Sequence, residues 1–203
     1  MRAGFMQRLV AYLIDLVVIS VAFSIVGLFI PNNNSELSLL NEKLGSAEEK
    51  MVSAMQKGDS AVYRDVLDDM LDIQYEISKK SVLNDSILLV ITFLYFVVLQ
   101  YILKGKTVGK IAMKIKVVDK KKKEPSMGVM LMRTFIVQGL LSSFIAIMTI
   151  LFLDRKAYSL FNGGINMITG IFIIVCALMI LYRKDKRGLH DIMAGSFVVK
   201  EEN

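Results

Sequence analysis

LVAYLIDLVVISVAFSIVGLFI, residues 9–30, decides the fold. As a helix this run rises roughly 33 Å, enough to cross the hydrocarbon core of a bilayer. Its one charge, Asp15, lies inside the run, and Pro31 with Asn32–Asn34 stops it. Arg2 and Arg8 before it also suit a cleaved leader. The length, the internal Asp15 and the missing small-residue cleavage pattern before Pro31 argue for a retained span.

Three more stretches read the same way: Ser86–Leu103, short at 18 residues but unbroken by charge, Val129–Leu153 with Arg133 near its start, and Gly163–Tyr182, closed by Arg183 and Lys184. No Gly- or Pro-broken helix pair of the kind transporters use is evident. The 203-residue chain is 54% hydrophobic with mean hydropathy +0.52. A soluble domain is usually about 45–50% apolar. The excess is confined to these stretches, while 35–82 is polar. An ordinary soluble domain, a disordered chain and a fibrous repeat are excluded. The fold class is an all-α polytopic membrane protein with four transmembrane helices. It reads as one domain over 1–203, with a hairpin inserted at 35–82.

The formal charge is +6, but its sign alternates along the chain. Residues 104–128 carry nine Lys against Asp119 and Glu124, and the segment from 183 is basic. Residues 31–85 hold six Lys/Arg and eleven Asp/Glu. Basic flanks stay inside. Both termini and 104–128 are therefore expected in the cytoplasm, and 31–85 and 154–162 outside, in the plasma membrane.

The polar segments carry helix and strand signals. Ser46-x-x-Glu49 matches a capping box, after which Ala47, Met51, Ala54 and Met55 share a face. After Gly58, Asp59 or Ser60 caps a second helix, in which Tyr63, Val66, Leu67, Met70, Ile73 and Ile77 recur at helical spacing. This predicts an extracytoplasmic helical hairpin. It is either self-packed or, through 46–78, a dock for a membrane-protein partner. Ile115–Val118 and Ser196–Lys200 are β-type runs expected to pair as a small two-stranded ribbon. Lys120–Lys123 reads as a basic turn that can also meet anionic lipid.

Charges inside apolar helices are costly and mark functional sites. Arg8 precedes Asp15 by seven residues, on one face and roughly 10 Å away. Arg133 lies one turn inside the third span, and Asp191 follows the fourth in Gly188-Leu189-His190-Asp191. The expectation is a cluster of Arg8, Asp15, Arg133 and Asp191, with His190 and Lys110 nearby, in which basic companions hold Asp15. Such a cluster either locks the helices or binds a cation or proton.

One Cys, Cys176, and one His, His190, exclude a disulfide within the chain, a cysteine metal site and a multi-histidine site. No catalytic residue, metal or cofactor is expected, and the chain reads as no enzyme. The basic runs lack the interleaved aromatics of single-strand nucleic-acid binders. Gly105-Lys106-Thr107-Val108-Gly109-Lys110 is not a phosphate loop, because Gln100 stands where the first Gly belongs.

Gly4 to Asp15, the Gly105–Lys110 and Ile115–Asp119 stretches followed by Arg133, and Gly188 to Gly195 together resemble the RDD family of bacterial and archaeal membrane proteins. That family is named for one arginine and two aspartates, here matched by Arg8, Asp15 and Asp191. The resemblance implies a transport-related role, some members being described as sodium/proton antiporters and others as restraints on a membrane peptidase. The long 31–85 insert departs from the usually shorter family loop. Two functional readings follow. One is cation/proton exchange through the Arg–Asp cluster, in a homo-oligomer because four spans rarely enclose a pathway alone. The other is a non-catalytic accessory subunit that docks a larger membrane protein.

Overall fold

The computed structural model describes residues 1–30, 34–121 and 123–201. The stop at Pro31 to Asn33, and Lys122 of the basic turn, lie outside the described residues. Helix α1 spans Phe5–Gly27, α2 Asn34–Lys57 and α3 Ser60–Ile102. A short helix, α4 (Val108–Ala112), leads to β1 (Ile115–Asp119). Then come α5 (Met127–Val137), α6 (Leu140–Phe152), α7 (Arg155–Tyr182), α8 (Leu189–Met193) and β2 (Ser196–Lys200).

Helices α1, α3 and α7 are each long and apolar enough to cross a membrane, and the bent pair α5–α6 meets the same requirement when its two arms are taken together, giving three to four candidate spans. Every span departs from its expected bounds. The second is the end of α3, a 43-residue helix about 64 Å long. No breaker lies between Ser60 and Ile102, so the hairpin runs straight into the membrane. The fourth begins at Arg155, and the expected 154–162 loop is mostly the first turns of α7. Asp154 caps it by accepting from the Ala157 amide at 2.9 Å.

The third span differs most. It is broken at Gln138–Gly139, where α5 and α6 meet at 65°. Gly139 has φ +65°, a left-handed backbone that glycine adopts without strain. The expectation that no glycine-broken helix pair is present is thus corrected. A second irregularity is a π-helical stretch, Leu94–Leu99, inside α3. Wider turns of this kind are frequent at functional sites, and this one carries Tyr95.

The hairpin of α2 and the first half of α3 packs Ala47, Val66 and Met70 with Leu44, Met51 and Ile73. Asp59 caps α3, accepting from the Ala61 and Val62 amides. Two expectations are corrected. Ser46 lies inside α2 and donates to the Lys43 carbonyl, so it starts no helix. Met55 is 62% exposed and points away from the packed face. Arg155 ties the hairpin to the bundle through Asp72 at 2.8 Å and Asp68 at 3.2 Å.

At the other end β1 and β2 pair antiparallel, Ile115 opposite Lys200 and Asp119 opposite Ser196. Residues 1–3 extend this ribbon. Arg2 bridges Val199, and the Ala3 amide donates to the Val198 carbonyl at 3.0 Å. The main core gathers toward this end. Ala3, Ala11, Val97, Ile115, Val117, Met130, Leu140 and Val198 are all buried together. Around it gather the N-terminal residues, the 104–128 segment and α8.

Candidate functional site

Asp15 lies mid-way along α1 and is 1% exposed. A carboxyl so placed needs donors to both oxygens. Tyr95 Oη donates to Oδ1 at 2.6 Å, the Gly109 amide to Oδ1 at 2.7 Å and Thr107 Oγ1 to Oδ2 at 2.6 Å. Tyr95 reaches inward from the π-helical stretch and also accepts from the Val108 amide at 3.1 Å. Thr107 caps α4. Gly109 lets α4 lie against α1: a Cβ there would meet the Ala11 carbonyl oxygen at 2.0 Å. The expected pairing of Asp15 with Arg8 is therefore not the one observed. Neutral donors from two other elements hold Asp15.

The guanidiniums converge on Asp191 instead. Arg8 Nη1 donates to Asp191 Oδ2 at 2.6 Å, and Arg133 Nη1 pairs with Oδ1. The Gly188 amide donates to Oδ2 at 3.2 Å. Arg133 also donates to Ser196 Oγ at 2.7 Å, and Arg8 to the Lys186 carbonyl at 2.7 Å. Burial alone would push the Asp191 carboxyl up, but Arg133 and Arg8 overcome it and hold the group well below the usual carboxylate range. His190 Nε2 lies 3.4 Å from Asp191 Oδ1. Burial, aided by nearby Arg133, pushes the imidazole down to about 4. At neutral pH it is uncharged.

Lys110 stands apart. Its ammonium is 3.4 Å from Thr107 Oγ1 and 5.6 Å from the centre of the Phe96 ring. Among the described residues no carboxylate lies within ion-pair distance of it. Burial pushes it down to about 8, against the pull of Asp15.

All six expected residues, Arg8, Asp15, Lys110, Arg133, His190 and Asp191, thus gather at the ribbon end. Five of them, all but Asp191, line a cavity of about 310 Å³ between α1, α5 and α7. A second cavity of about 320 Å³ lies toward the hairpin, lined by Ser78, Asp85, Ser143, Tyr158 and Asn162 among others. Gln138, at the break in the third span, lines both. Among the described residues no group of three His, Cys, Asp or Glu side chains could hold a metal ion. Sequence reasoning missed Tyr95 and Thr107. Gly105-Lys106-Thr107-Val108-Gly109-Lys110 held a signal, since two glycines around a helix cap announce a close backbone approach.

Comparison with curated proteins found no significant match, and neither did comparison with solved structures. The sequence model of the RDD family matches residues 2–195, nearly the whole chain, and the protein belongs to that family.

Proposed function

We propose that this RDD-family membrane protein is transport-related, receiving a solute in the ribbon-end cavity and exchanging protons beside it. The observation that supports this is the pair of cavities meeting at Gln138, where the third span is broken. A straight helix would offer no freed backbone at mid-span. A broken one supplies it where transporters bind their substrates. Gly139 is the natural hinge, since few positions absorb a large backbone change as readily.

Lys110 is the group suited to proton exchange, because it lines the cavity and titrates near neutrality. Exchange of a metal cation at Asp15 draws less support. Both Asp15 oxygens and both Asp191 oxygens already accept hydrogen bonds. The concentration of Lys and Arg at the ribbon end favours a plasma-membrane orientation with both termini in the cytoplasm.

The test is solute-driven proton movement in proteoliposomes, read with an internal pH dye. The parent protein is expected to move protons on addition of a solute, and Lys110→Met to abolish the response. A parent protein that moves none across a panel of monovalent cations and organic anions overturns the reading.

A second reading, an accessory subunit, is favoured by the hairpin. It projects past the spans and leaves Leu39, Val52, Met55 and Val62 about half exposed. Replacing its tip, residues 51–66, by a short Gly-Ser turn keeps the Arg155 contacts. On this reading the trimmed protein inserts normally but loses a co-purifying membrane partner. Unchanged partners would exclude the hairpin as the dock.

A further inference from the structure

The ribbon-end cavity combines three features that one ligand chemistry would satisfy together. Its cations outnumber its acids. Arg8, Arg133 and Lys110 face Asp15 and Asp191, and both guanidiniums are already spent on Asp191. Lys110 alone has no carboxylate partner among the described residues, and the buried Arg8 Nε has no acceptor. The walls beyond these charges are apolar: Phe5, Leu9, Phe172, Ile173 and Ile180. Of these, Leu9 on α1 and Ile173 on α7 are 36% and 50% exposed. Both helices are spans, so the cavity opens sideways, toward acyl chains.

We propose that this cavity binds an anionic single-chain amphiphile entering from the bilayer, its headgroup on the Lys110 ammonium and its chain along the α1–α7 wall. The proposal rests on the cavity's being the solute site, and it names the solute's class. A metal cation finds no carboxylate oxygen there that is free of a hydrogen-bond donor. A small soluble anion would pair with Lys110 but leave the apolar wall wet. A neutral amphiphile would cover the wall but leave the ammonium without a counter-charge. A carboxylate or phosphate monoester on one alkyl chain meets both demands, as buried charges require partners and apolar walls require cover.

The experiment is equilibrium binding to the purified full chain in neutral detergent, read by native mass spectrometry. The probes are oleate, dodecyl phosphate, oleyl alcohol and inorganic phosphate. Oleate and dodecyl phosphate are expected to bind with one molecule per chain, and the alcohol and inorganic phosphate to bind at least about tenfold more weakly, the worth of one charged hydrogen bond. Lys110→Met should weaken oleate by a similar factor, and Lys110→Arg should retain it. Lys121→Met, on the exposed turn, serves as control. Ala177 of α7 also lines the cavity; Ala177→Phe fills the chain slot, should also block oleate and keeps the test open if Lys110→Met fails to fold.

Inorganic phosphate binding as well as oleate, the alcohol binding as well as oleate, or undiminished binding to Ala177→Phe each overturns the proposal. Oleate binding without any proton movement in vesicles leaves the site standing and removes the transport reading. Proton movement without amphiphile binding does the reverse.

Discussion

At the scale of the residue, the two aspartates are buried by opposite means. Asp191 is charge-compensated by two guanidiniums, and Asp15 is solvated by hydroxyls and an amide. The consequences of neutralising them differ. Asp191→Asn leaves Arg8 and Arg133 buried without a counter-ion and should cost about 3–5 kcal/mol. Asp15→Asn should cost less, because the Thr107 hydroxyl can turn and accept from the new amide while Tyr95 and Gly109 still donate to the remaining oxygen. Thermal unfolding followed by maleimide labelling of Cys176, which is 6% exposed, separates the two: the Asp191 variant unfolds at the lower temperature.

His190 gives a pH dependence with a definite sign. Its imidazole falls from 6.5 in the unfolded chain to about 4 in the fold. Between those values the unfolded state binds the extra proton, so stability falls as pH drops from 6.5 to 4, by about 3 kcal/mol. His190→Gln should flatten that window in the same Cys176 assay. A parent protein equally stable at both ends of the window contradicts the assignment.

These residues were unequally legible. Asp15 and Arg133 announce themselves because a charge in an apolar run is expensive, and Arg8 and Asp191 because they flank such runs. Which partner each takes does not follow from that cost. Hydroxyls at Tyr95 and Thr107 carry no such penalty in the sequence, and only the fold of α3 and α4 brings them to Asp15.

At the scale of the element, the break at Gly139 separates sequence from structure most clearly. A lone glycine within an apolar run is ordinary in transmembrane helices, so nothing local distinguishes a packed glycine from a bent one. The left-handed backbone there does. Gly139→Ala should destabilise by about 1–2 kcal/mol, the usual cost of that conformation for an L residue. If the break is a working hinge, the same change should also slow proton movement in vesicles beyond what its folded fraction explains. The ion pairs of Arg155 are a contrasting case. They sit at an exposed surface, where solvent screens an ion pair, so Asp72→Asn should leave thermal unfolding almost unchanged. The ribbon was readable from two short β-type runs, because neither is stable alone and each needs the other. The continuity of α3 was readable too, since no proline or glycine interrupts it after Gly58.

At the scale of the whole molecule, three long apolar helices and the bent α5–α6 pair meet a core concentrated at one end. Much of α1 and α7 stays uncovered, as Val17, Ile25, Ile168 and Ile174, each more than half exposed, indicate. Lipid covers such faces at no cost, so the molecule has no need of a thick central core. Where the spans leave the bilayer they must be held by other means, and there the ribbon, α4 and α8 tie them together.

The Arg8–Asp191 bond crosses 183 positions of chain. At a translation rate of roughly 5–20 residues per second, the first span waits on the order of ten to forty seconds for its counter-ion to be made. During that wait Arg8 stands without Asp191, and Asp15 stands without Tyr95, Thr107 and Gly109 for a shorter time. Insertion factors and membrane proteases therefore meet this helix in its most vulnerable form. A nascent chain stalled short of Asp191 is expected to be cleared rapidly, whereas one released just beyond it persists.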